Sequence, residues 1–168
     1  MLADAEAKLS DVVAKNTAYN TKVNERQAAF SGLKSLSPRL VNALQTTDAS
    51  DELVKDAKGY NRKMQGQRVS PSATTPTDPN TPAPTTISTS QQSYTQQIQH
   101  LAGLISVLES EASYTPNETD LQIATLQAKQ AELATKKNEV AMSYTDISNS
   151  RIARNATLYT KDDSIFEV

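Results

Sequence analysis

Residues 2–33 read LADAEAKLSDVVAKNTAYNTKVNERQAAFSGL. Leu2, Leu9, Asn16, Val23 and Phe30 recur every seventh residue, and Ala5, Val12, Tyr19, Arg26 and Leu33 form a second row three positions on. Alternating 3–4 spacing of this kind lays both rows along one stripe of a helix, the seam of a coiled coil or of a bundle helix. A helix with a single apolar stripe is not stable alone in water and must be covered by others. The stretch therefore implies an all-α protein whose remaining segments supply partner helices.

Those segments can be read outward from it. Ser37-Pro38 is expected to end or kink the first helix, because Ser can cap and Pro fits a first helical turn. Leu40, Val41 and Leu44 carry a short second piece, which "TTDAS" interrupts. Ser50 can then cap a helix with Leu53, Val54, Ala57, Tyr60 and Met64 inward, ending near Gly66. After a break, Tyr94, Ile98, Leu101, Leu104, Ile105 and Leu108 mark another helix face. In "YTPNETDL", residues 114–121, Thr115 and Glu118 have the spacing of a capping box with Pro116 at the first helical position. The last helix has Ile123, Leu126, Leu133, Val140, Tyr144 and Ile147 in its seam, and is expected to run to about Tyr159, roughly 65 Å.

The break is compositional. Of the 21 residues 70–90, 16 are Ser, Thr or Pro, and Pro71, Pro76, Pro79, Pro82 and Pro84 fall within fourteen positions. Such a run forbids helix and sheet ladders alike and cannot pack a core. The expected organisation is an N-terminal helical half over 1–68, a linker over 69–90 and a C-terminal half over 91–168, the two halves sharing one core. The fold class is all-α: an elongated bundle or long antiparallel hairpin of about four helices with a disordered or extended Ser/Thr/Pro strap in the middle.

Composition narrows the chemistry. Apolar residues make up 37% of the chain, against about 45–50% in ordinary domains when Gly is included. With no Trp or Cys and only Phe30 and Phe166 as Phe, the core must come from aliphatic residues and Tyr, which suits a thin bundle. The net charge of −2 argues against a polyanion binder, so no nucleic-acid partner is expected. Charge is nonetheless uneven: residues 1–68 hold 11 basic and 8 acidic side chains, while no Lys or Arg occurs between Val69 and Ala128. No Cys means no disulfide and no thiolate metal site. His100 is the only histidine, so paired Glu-x-x-His di-iron ligands cannot be assembled. A solvent or helix-face position is the expectation for it. Phosphate-cradling Gly-rich loops are missing, and "QQIQHLAGL" offers no strained turn for a nucleophile. The chain is expected not to be an enzyme and to hold no metal or cofactor.

What remains are polar interruptions of the seams. Asn16, Arg26, Gln130 and Lys137 occupy seam positions, where a polar group fixes register and copy number at some cost in stability. The same residues could instead line the polar pocket of a ligand-sensing bundle. Arg151 and Arg154, one turn apart in "SRIARNATLY", could grip a partner carboxylate or lie across their own bundle with stems packed and heads in water. Asn16, Arg26, Lys137, Arg151 and Arg154 are thus the candidate register or partner-contact residues. The opening "MLADAEAKLSD" lacks the basic-then-apolar pattern of a signal peptide, and a transmembrane segment is not expected, the longest apolar-leaning run being too short. The compartment stays undetermined, with a lean to a mature extracytoplasmic fragment.

"YTPNETDLQIATL" followed by "SNSRIARNATLY" resembles uncharacterised helical proteins of Bacteroidetes-type bacteria, over roughly residues 114–159. The resemblance implies a bacterial source and a bundle fold, and carries no functional residue. The function expected is structural or protein-interacting, through helix faces that self-assemble or bind a protein partner. The alternatives are a ligand-sensing bundle and a membrane-active, pore-forming helical protein.

Overall fold

The computed structural model describes residues 2–67 and 92–160. Over these the protein is all-α: α1 Leu2–Ser31, α2 Leu33–Gln45, α3 Asp51–Gln65, α4 Tyr94–Glu109, a 3-10 turn at Thr119–Leu121, and α5 Ile123–Asn155, which closes in a π turn at Ala156–Thr160. No strand occurs among the described residues. None of their helices is long and apolar enough to cross a membrane. The linker expected over 69–90 lies outside the described residues.

Two compact units are present. Of the described residues, a terminal unit joins 2–32 to 131–160, and a central unit comprises 33–67 and 92–130. Compactness thus groups the ends of the chain together and the middle separately, whereas the sequence suggested halves on either side of the linker.

The central unit holds α2, α3, α4, the 3-10 turn and the first residues of α5. Ser50 caps α3 as its sequence implies, its Oγ accepting from the Leu53 N–H at 3.3 Å. The helix ends at Gly66, whose φ of 72° lies in the left-handed region that Gly enters without steric cost. Gln92 adds a second stop by donating its side-chain amide to the Lys63 carbonyl at 2.6 Å. Leu40 and Leu44 of α2, Ala57 of α3, and Leu101, Leu104 and Leu108 of α4 are fully buried. α3 and α4 meet tightly at Gly103 and Tyr60. A Cβ on Gly103 would overlap Cε1 and Cζ of Tyr60, so the hydroxyl end of the ring rests directly on bare backbone.

Two expected helix boundaries are corrected. The first break lies at Gly32, and Pro38 sits inside α2. A proline there leaves the carbonyl four residues earlier, that of Lys34, without its helical donor. Gln65 of α3 supplies one: its Nε2 donates to the Lys34 carbonyl at 2.6 Å. Ser37, expected as a cap, is instead fully buried and donates to Asn61 Oδ1 at 2.8 Å. Packing against α3 therefore replaces what the proline removes, and the helix runs through. The second correction concerns Thr115 and Glu118. They form no capping box, and α5 starts at Ile123. The Glu118 carboxylate is drawn to the Arg39 guanidinium of α2, which also reaches Asp120 at 3.8 Å. Tyr114 is buried and donates its hydroxyl to the Leu121 carbonyl at 2.9 Å. These contacts hold 114–121 as a folded loop where local pattern alone favoured a helix. His100, expected at a solvent or helix-face position, is buried at 5% exposure on α4.

The terminal unit pairs α1 with α5. Asp11 meets Ser150, Lys22 meets Glu139 and Glu25 meets Lys136. Contacts that descend along one helix as they ascend along the other define an antiparallel pair. Leu133, Val140 and Ile147, seven residues apart, are buried along α5. From α1 the second heptad row turns inward along its length: Ala5 is buried, and Val12, Tyr19 and Arg26 are half-buried, while the first row turns in only toward its end, with Val23 half-buried and Phe30 buried. In the first row, Leu2 and Leu9 are 70% and 47% exposed. Tyr144, expected in the seam of α5, is 58% exposed. The expected seam was too wide for one neighbour, because a single antiparallel helix covers one row of the stripe and leaves its edge open.

Candidate functional site

All five candidate register or partner-contact residues fall in the terminal unit. Arg26 and Arg154 belong to rows that turn toward the helix interface, and both are half-buried. The Arg154 guanidinium is held by its own neighbour, with Nε and Nη2 donating to Asn155 Oδ1 at 3.1 and 2.8 Å. Asn16 and Arg151 are exposed and Lys137 is half-buried. The five do not converge on one point, since Asn16 and Arg26 stand ten residues, about 15 Å, apart on α1.

Their placement follows from the two flanks of the pair. One flank is charged. Lys22 Nζ lies 3.1 Å from Glu25 Oε2 and 3.2 Å from Glu139 Oε2, and Lys136 Nζ lies 2.8 and 3.3 Å from the same two carboxylates. Both helices contribute Lys-x-x-Glu, so an antiparallel pair meshes the two motifs reciprocally. The sequence reading missed this cluster, although the repeated four-residue pattern was its signal. The hydrogen bond from Lys136, with that from Lys22, holds the Glu25 carboxyl below the usual carboxylate range. Lys22 and then Lys136 do the same for Glu139. Both lysines are raised in turn, each chiefly by its bond to Glu25. One turn or more away on the same flank, Ser150 Oγ donates to Asp11 Oδ2 at 2.6 Å.

These ion pairs place one flank of α1 beside one flank of α5, so the opposite flanks also lie side by side. On α1 that second flank carries the row Leu2, Leu9, Asn16 and Val23. On α5 it carries Lys137, Tyr144 and Arg151, again seven apart. The Tyr19 and Tyr144 rings meet at its inner edge, centroids 6.0 Å apart and tilted by 57°. Val13, next to the Leu9 row, is 66% exposed. Every exposed large hydrophobic side chain among the described residues belongs to the terminal unit: Leu2, Leu9, Val13, Met142, Tyr144, Ile152 and Tyr159.

The central unit offers a different candidate. A cleft of about 300 Å³ opens between the end of α2 and the 113–116 loop, lined by Thr46, Thr47, Asp48, Ser113 and Thr115 among others. A second, of about 500 Å³, continues past Arg39, Asn42, Asn117 and Glu118. Their polar groups are largely engaged in building the loop. Glu111 accepts from the Ser113 hydroxyl at 2.6 Å and its N–H at 3.0 Å, which lowers its carboxyl from the ordinary value. Ser113 Oγ also accepts from the Asp48 N–H at 3.2 Å. Burial pushes the Tyr114 hydroxyl up to about 12. A neutral hydroxyl locked onto a carbonyl holds the loop and is no ready proton acceptor. Among the described residues, no cluster of three or more His, Cys, Asp or Glu side chains could hold a metal ion.

The fold and this surface define an all-α protein whose apolar exposure is gathered on one helix pair. Comparison with protein-family models, curated proteins and solved structures finds no match to the chain.

Proposed function

We propose that the chain is a non-enzymatic structural or interaction protein that acts through helix faces, in self-assembly or in binding a protein partner. One observation carries this reading: the seven exposed large hydrophobic residues all lie in the terminal unit, and the central unit has none among the described residues. Scattered apolar exposure is ordinary on protein surfaces, whereas its confinement to one element pair favours a site of association. The ligand-sensing alternative needs Asn16, Arg26 and Lys137 to close around one cavity. The exposure of Asn16 and its distance from Arg26 along α1 give that reading no support.

The test is site-specific photo-crosslinking of the full chain in its native cell. A photoreactive phenylalanine analogue replaces Val13 in one variant and exposed Lys55 of α3 in another. A discrete protein adduct from position 13, whether with the chain itself or with another protein, and none from position 55 is the expected result. Equal labelling from both positions, or no protein adduct from position 13, would overturn the reading.

A further inference from the structure

We infer that the flank of the α1–α5 pair bearing Leu2, Leu9, Val13 and Tyr144 is covered by the same flank of a second copy of this chain, forming a four-helix interface. The inference rests on the helix-face function proposed above and names the partner.

The first support is the asymmetry of the two flanks. On one, Lys22, Glu25, Lys136 and Glu139 satisfy one another. On the other, aliphatic and aromatic side chains are exposed, Leu2 at 70%, Val13 at 66% and Tyr144 at 58%. The second is size. The α1 flank from Leu2 to Val23 extends about 33 Å, and two adjacent helices present a face about 20 Å wide. That is about 660 Å² per copy, or about 1,300 Å² in all, within the roughly 1,200–2,000 Å² of a stable complex.

The third support selects a copy over an unrelated protein. The flank divides into complementary halves. The α1 half, read along Leu2, Glu6, Leu9, Val13, Asn16, Asn20 and Val23, has four aliphatic residues, two Asn and one acidic group. The α5 half, read along Lys137, Ala141, Tyr144, Ser148 and Arg151, has an aromatic ring, small residues and two basic groups. A two-fold axis parallel to the helices lays each α1 half over the α5 half of the other copy, with the helices again antiparallel. In the register of the Asp11–Ser150 and Lys22–Glu139 contacts, Glu6 then comes within about a turn of the other copy's Arg151. Val13 faces the small residue Ser148, and Asn20 faces Ala141. The surface thus matches itself under the symmetry most common in soluble oligomers.

Light scattering on the full chain, at tens of micromolar, measures the mass. Twice the mass of one chain is the expected result. Leu9→Glu with Val13→Glu should raise the dissociation constant by about 30-fold or more, as loss of a central apolar contact does. Asn149→Glu, at an exposed position two residues from buried Ile147 and so on the side of α5 turned away from α1, should leave it within about threefold. Should the double Glu variant lose helix, charge exchange decides the matter: Glu6→Arg and Arg151→Glu should each weaken association, and the two together should restore it. A wild-type mass of one chain, a mass of three or more, or association indifferent to all four changes would overturn the inference. A single-chain mass with a crosslink from position 13 to a different protein would sink the second copy and leave the helix-face function standing.

Discussion

The terminal and central units are similar in described length and are built on opposite terms. Of the buried hydrophobic side chains among the described residues, thirteen lie in the central unit, and only Ala5, Phe30, Leu133, Val140 and Ile147 in the terminal one. Three helices and a folded loop can enclose one another's apolar stripes; two helices can only share one edge. The central unit therefore settles its polar exceptions internally, as Gln65 does for the carbonyl that Pro38 leaves open. The terminal unit relies on reciprocal ion pairs along one flank and leaves the other apolar. A unit that is complete by itself and a unit that presents a surface can thus occupy one short chain.

The sharpest break between them should be seen in Leu truncation. Leu40→Ala removes a side chain with no exposure and should destabilise by about 2–5 kcal/mol. Leu9→Ala, at 47% exposure, should stay within about 0.5 kcal/mol under conditions where the chain is not associated. Urea denaturation of both variants at low protein concentration measures the difference. Similar losses would mean that the Leu2–Leu9 row is packed after all, and the contrast between units would fail.

Glycine sharpens the picture of the central unit, because two of its helical glycines should respond with opposite signs. Gly103→Ala drives a methyl into the Tyr60 ring and should cost about 1–3 kcal/mol, as overpacking does. Gly59→Ala meets nothing within 4 Å and should stabilise by roughly 0.5–1 kcal/mol through the loss of backbone freedom in the unfolded chain. Thermal midpoints moving in the same direction would show that the α3–α4 contact yields easily, against a unit closed by tight packing.

The bond from Gln65 to the Lys34 carbonyl tests how that unit tolerates an internal proline. Gln65→Ala should cost about 1–2 kcal/mol by leaving a carbonyl unpaired. In a Pro38→Ala background, residue 38 regains an N–H able to serve Lys34, so the same change should cost distinctly less. A double-mutant cycle with no coupling would show that the Gln65 bond does not compensate for the proline.

Much of this architecture was legible in the sequence. The 3–4 spacing of α1, the cap at Ser50, the stop at Gly66 and the buried face of α4 are local signals, and each was read correctly. The failures share one physical cause. Pro38 stays helical because Gln65, 27 residues later, stands in for its N–H; Glu118 leaves its cap because Arg39, 79 residues earlier, attracts it. Those partners are distant in sequence, and a pattern of neighbours cannot reveal them. The candidate surface was half legible. The heptads identified its rows, yet both Leu rows of α1 were assigned inward, because periodicity gives the width of a stripe and says nothing of how many helices arrive to cover it.

The smallest expected effect concerns what the terminal unit uses in place of a larger core. Glu25 and Glu139 are held below the usual carboxylate range by Lys136 and Lys22, and the two lysines are raised by the same bonds. A carboxyl lowered by folding stabilises the folded chain above its unfolded value, 4.5 for Glu, and loses that contribution as pH falls through the folded value. A lysine raised by folding stabilises below 10.5 and loses its contribution as pH rises through the folded value. The cluster should therefore add a constant increment between these limits, small because its groups face solvent and salt screens them. Glu25→Gln with Glu139→Gln should lower the urea midpoint at pH 7, and the gap from the unaltered chain should close as pH falls from 5 toward 3. About 1 M salt at pH 7 should narrow the same gap. A gap of the same size at pH 3 as at pH 5, although the unfolded chain takes up protons on both glutamates below 4.5, would mean that the glutamates act by packing and not by charge. The charged flank would then be no counterpart to the apolar one.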